Sequence, residues 1–84
     1  MKNILYISFL NRLYWHCQKN NGKVDIRKLI TKQQSYDDCF DFMLMAEQDG
    51  ICEYSMINAS AIIYIDPVIL CMDQSEFQNK IKEL

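Results

Sequence analysis

Ser35-Tyr-Asp-Asp-Cys-Phe-Asp-Phe-Met-Leu-Met-Ala-Glu-Gln-Asp-Gly-Ile51 is the stretch from which the rest of the chain can be placed. It has the rhythm of a helix. Ser35 caps an N-terminus by accepting a backbone N–H, and Gly50 followed by apolar Ile51 is a C-terminal stop with its hydrophobic contact. The stretch carries five carboxylates and no cation. Asp37 and Asp38, second and third after the cap, meet unpaired N–H groups and the positive end of the helix dipole, each contributing about 0.3–1 kcal/mol. Local capping thus accounts for two of the carboxylates and leaves the others to be explained.

Downstream, Ile51–Ile57 and Ala61–Ile65 read as two strands joined by the turn-prone Asn58-Ala59-Ser60, a hairpin that Asp66-Pro67 ends. A last helix starts at Asp73, with Glu76 completing a capping box, Met72 and Phe77 as a hydrophobic staple, and Phe77, Ile81 and Leu84 as its stripe. Upstream, residues 3–20 read as a helix stopped by Asn20-Asn21-Gly22. A second helix is expected from Asp25 as N-cap to about Gln33, with Val24 and Leu29 at staple positions.

Three helices, a hairpin and a closing helix within 84 residues predict one α+β domain, 1–84, of winged helix-turn-helix class. Half the residues are hydrophobic, and only two glycines and one proline interrupt the elements. The stretch Phe42-Met-Leu-Met-Ala-Glu-Gln-Asp-Gly-Ile51 resembles the end of a winged-helix third helix running into its wing. Over roughly residues 4–84 the order of elements is similar to that of small winged-helix proteins of phages and other bacterial mobile elements, such as the YjcQ-like group. One departure is visible: Cys71-Met72-Asp73-Gln74 stands where Thr-x-x-Gly usually precedes the last helix. The resemblance implies a DNA-associated role.

In helix-turn-helix docking the start of the third helix approaches base edges between two phosphate backbones. Asp37, Asp38 and Asp41 would bring negative charge there, whereas duplex affinity comes mainly from cations that neutralise phosphate. From Gln33 to Asn79 there is no Lys or Arg, against nine Asp or Glu. The cations gather earlier, at Lys19, Lys23, Arg27, Lys28 and Lys32, opposed only by Asp25. With Arg12 these form the candidate nucleic-acid contact, single-stranded or to the backbone only.

The first helix is apolar over too wide an arc. At about 100° per residue, Leu5, Tyr6, Ile7, Phe9, Leu10, Leu13, Tyr14 and Cys17 cover roughly 200°, and Ile4 and Trp15 fall outside it. Trp15 has Arg12 three residues before it and Lys19 four after. Ile4, Ile7, Tyr14 and Trp15 are therefore the candidate contacts to a protein partner, which could be a second copy in a dimer.

Enzyme chemistry finds no support. His16 and Cys17 diverge as helix neighbours, adjacent Asp37 and Asp38 are explained by capping, and two isolated glycines make no phosphate loop. Cys17, Cys39, Cys52 and Cys71 lack the close pairing of zinc ligands and read as reduced thiols. Neither metal nor cofactor is expected. The opening Met1–Leu10 resembles a leader only until Asn11 and Arg12 cut it short, and no run approaches the roughly 18 apolar residues of a membrane span, so a cytoplasmic protein is expected. The leading expectation is a non-enzymatic accessory or adaptor protein of a phage or mobile-element DNA transaction, in replication or transcription. The alternatives are a duplex-reading repressor and an acidic inhibitor of a host DNA-binding protein.

Overall fold

Asn3 opens the first helix, its side chain accepting from the N–H of Leu5 at 2.8 Å. The computed structural model describes residues 3–84. Met1 and Lys2, the start of the leader-like run, lie outside the described residues. Helix α1 (Ile4–Lys19) buries Phe9, Leu10 and Leu13 completely, each worth about 1.5–3 kcal/mol. It ends where Gly22 N–H returns to the carbonyl of Cys17 at 2.8 Å, with Asn21 and Gly22 both at positive φ. The positive φ at Gly22 favours glycine, and a Cβ there would also lie 3.0 Å from Cδ2 of Leu70, which would have to shift.

The second helix expected from Asp25 to about Gln33 does not form. Lys23–Asp25 is instead a strand, β1, and Ile26–Leu29 a single 3-10 turn, after which Ile30 is extended at φ −68° and ψ 137°. Asp25 does act as a cap, accepting from Arg27 N–H at 3.0 Å. The segment is rich in β-branched Val24, Ile26, Ile30 and Thr31, poor helix formers. Val24 also finds a strand partner in Ile63. The carbonyl of Leu29 is taken by side chains, Arg12 at 3.0 and 3.2 Å and the Cys39 thiol at 3.5 Å. No further helical turn is needed to satisfy it.

Helix α2 (Tyr36–Gln48) is capped by Ser35 as expected, and Asp38 completes the box by accepting from Ser35 N–H at 3.0 Å. Ile51 N–H closes its far end on Ala46 O at 2.9 Å. Strands β2 (Cys52–Ile57) and β3 (Ser60–Ile65) follow, joined by Asn58 and Ala59 with Asn58 at φ 56°. All pairing is antiparallel, in the order β1-β3-β2. Ala61, Ile63 and Ile65 face the core. Pro67 not only ends the hairpin but starts a short helix, α3 (Pro67–Leu70), which Asp66 caps. Helix α4 (Gln74–Lys82), with its Asp73–Glu76 capping box, buries Phe77 and Ile81. The described residues thus form an α+β fold of four α-helices and one three-stranded sheet.

Candidate functional site

Trp15 and Ile4 stand on the outer side of α1, 54% and 78% exposed. Ile4, Ile7, Ser8, Asn11, Arg12 and Trp15 line a shallow groove of about 660 Å³, closed on its far side by Gln74 and Gln78 of α4. Gln78 Nε2 donates to Asn11 Oδ1 at 2.5 Å and fastens α4 to the floor. These glutamines and Asn11 escaped the sequence reading. The only signal for them is their i, i+4 spacing on the polar side of a short helix, and nothing local says which helix that side meets.

Three of the four candidate partner contacts, Ile4, Ile7 and Trp15, share this groove. Tyr14 does not, and its assignment is corrected here. Its ring stacks on Phe77 at 4.2 Å, its hydroxyl donates to the carbonyl of Met72, and burial raises its pKa. Tyr14 is core because α4 lies across that side of α1.

The six candidate cations separate. Arg12 is engaged inside the protein: Nε and Nη2 donate to Leu29 O, Nη2 to Gln34 Oε1 and Nη1 to Ser8 Oγ. Its role is to hold the 3-10 turn on α1, and it shows only an edge to the groove. Arg27 pairs with Asp25 at 2.7 Å on the surface, a contact worth about 0–1 kcal/mol. Asp25 is held well below the usual carboxylate range, first by the Arg27 guanidinium and also by Ser60 Oγ at 2.7 Å. Lys19 Nζ lies 4.3 Å from the centroid of Trp15, and the His16 ring meets Trp15 edge-on at 4.9 Å. His16 has a lowered pKa, through burial first and then through the positive charges of Lys28, Arg12 and Lys19. Of the three, only Lys19 lies on Trp15 itself; Lys28 and Arg12 act on the neighbouring His16. Lys23 stands apart on β1 opposite Tyr64, and Lys32 in the bend between the 3-10 turn and α2; neither makes an ion pair among the described residues.

Helix α2 and the hairpin are acidic. Asp37, Asp38 and Asp41 are exposed on α2, and the hairpin tip presents Met56 and Ile57 rather than cations. Among the described residues no three His, Cys, Asp or Glu side chains are grouped as metal ligands. No helix in the described residues is long and apolar enough to cross a membrane. Cys17, Cys39 and Cys52 are buried, and burial pushes the Cys17 thiol up to about 11 and Cys52 to about 12.

Comparison of the chain with protein-family models, curated proteins and solved structures found no match in any of the three.

Proposed function

We propose that this chain is a small winged-helix adaptor that works by binding, as an accessory component of a phage or mobile-element DNA transaction. The order of helices and strands is compatible with a winged-helix layout, with α2 in the place of the third helix and β2–β3 as the wing. The observation that carries the reading is Trp15: a half-exposed indole beside a groove that Ile4 and Ile7 also line, on a helix whose other side is fully packed. Large aromatic side chains that keep a rigid, partly apolar surface in water are the usual anchors of protein interfaces. The partner would seat an apolar side chain between Trp15 and Ile4 and meet the polar ends of Asn11, Gln74 and Gln78.

Any nucleic acid would be held on the Lys19–Lys28 flank, through phosphate and as a single strand. Asp37, Asp38 and Asp41 oppose entry of α2 into a duplex groove. Lys19 already covers one face of the indole, so a base would stack only on the other.

The test joins light scattering to titration with labelled single-stranded and duplex oligonucleotides at two salt concentrations, and to capture of partners on immobilised protein. Trp15→Ala should leave the fold intact and weaken partner binding by about 2 kcal/mol or more. Tight, sequence-dependent duplex binding that persists in Trp15→Ala would overturn the reading in favour of a repressor.

A further inference from the structure

Strand β2 forms an outer edge of the sheet, with no strand on its outer side among the described residues; Cys52 at its start is buried, Tyr54 partly exposed and Met56 exposed. The hydrogen bond from Asp66 N–H to Ile51 O at 2.9 Å fixes which residues of β2 point at β3. With the register Glu53↔Tyr64 and Ser55↔Ile62, the odd-numbered residues exchange bonds with β3. The N–H and C=O groups of Cys52, Tyr54 and Met56 therefore point away from the sheet. The bond from Ile65 N–H to Gly22 O on the far side of β3 agrees with this alternation. Among the described residues no backbone group outside the sheet pairs with those three.

Natural sheets guard such an edge with lysine, proline, a bulge or a covering segment. Here the six residues Cys52–Ile57 contain no lysine or proline and pair without a break. Met56 and Ile57 are 53% and 49% exposed at its end. Beside the edge runs a partly exposed aromatic row: Tyr36 to Phe40 at 6.2 Å, and Phe40 to Tyr54 at 6.4 Å. Asp37 falls about 60° round the helix from Phe40, on the side away from the core. Asp37 and Asp41 are exposed on α2, and Glu53 is exposed on the opposite face of the sheet.

We infer that the β2 edge is a second docking surface, which takes an extended basic segment of a partner protein as an added strand. The backbone of that segment would bond to Tyr54 and Met56. Its apolar side chains would lie on Tyr54, Phe40 and Met56, and its alternate cations, on the other face, would meet Glu53. Strand addition draws affinity from main-chain bonds and specificity from alternate side chains, and complementary charge speeds and selects the encounter. A second copy fits less well. Antiparallel pairing of two β2 strands would set both α2 helices on one side of the joined sheet, with Asp37 and Asp41 facing their own kind. The surface is separate from the α1–α4 groove and does not depend on it.

The experiment is amide exchange on the intact, reduced protein with two end-blocked peptides, one alternating lysine and valine, the other glutamate and valine. The lysine peptide should slow exchange at Tyr54 and Met56 and bind at least about tenfold more tightly than the glutamate peptide. Met56→Pro removes one outward donor and spares the bonds to β3, and should weaken binding about tenfold. Glu53→Gln, which leaves the edge backbone untouched, should weaken it about threefold or more and flatten its salt dependence; it decides the matter if the proline variant does not fold. Trp15→Ala should change none of this, which keeps the two surfaces distinguishable. Equal binding of both peptides would overturn the inference, as would unaltered exchange at the Tyr54 and Met56 amides. So would their protection by self-association or by duplex DNA.

Discussion

Nη2 of Arg12 lies 2.5 Å from Oε1 of Gln34, and the same guanidinium closes on the carbonyl of Leu29. Gln34 is buried, and its Nε2 donates to Leu5 O at 2.9 Å. One arginine and one glutamine thus join α1, the 3-10 turn and the bend that follows it. Arg12 satisfies the carbonyl of Leu29, which a regular second helix would have used internally.

Removing that clamp should be costly. Arg12→Ala leaves Gln34 Oε1 and Leu29 O short of donors, each loss costing about 1–3 kcal/mol. Arg12→Lys should recover only part of this, since an ammonium lacks the planar fork. Urea unfolding measures both, with Lys32→Ala as the control expected within about 0.5 kcal/mol of the parent. An Arg12→Ala protein as stable as that control would show that the clamp contributes nothing.

Tyr14 and Trp15 are neighbours with opposite surroundings, and their alanine variants should separate. Tyr14→Ala empties a site stacked on Phe77 and should cost about 3–5 kcal/mol. Trp15→Ala gives up little beyond the contact with Lys19, below about 1 kcal/mol. Thermal melts of the two proteins side by side suffice to check this.

Stability should fall on acidification in two steps. His16 has its pKa lowered from 6.5, through burial and then Lys28, Arg12 and Lys19. Below that value the unfolded chain binds the proton more readily than the folded one, so stability declines as pH falls from 6.5. Asp25, lowered from 3.8 chiefly by Arg27, adds a second decline as pH falls below 3.8. Melting temperatures followed from neutral to acid pH should show both steps, and His16→Gln should abolish only the first.

Thiol reactivity reports burial directly. Cys71 is exposed, whereas Cys17, Cys39 and Cys52 are buried. A disulfide reagent at neutral pH should label Cys71 quickly and the others only as the protein opens. Urea should release all four thiols. Fast labelling of Cys17 in the native protein would contradict the packing described.

Much of this molecule is written locally. Ser35, Asp73 with Glu76, Gly50-Ile51 and the hairpin all act within a few residues, so spacing alone located them. The lack of cations between Gln33 and Asn79 is likewise a property of the chain, and it leaves α2 and the hairpin acidic however they pack. Other outcomes needed partners distant in sequence. Asp25 caps a 3-10 turn as well as it would an α-helix, and the choice fell to the edge of β3 and to Arg12. Only the laying of α4 on α1 made Tyr14 core and left Trp15 at the groove. Caps and turns are governed by backbone groups within one turn of each other. Which apolar side is covered, and which cation is engaged, depends on segments that meet only when the chain has folded.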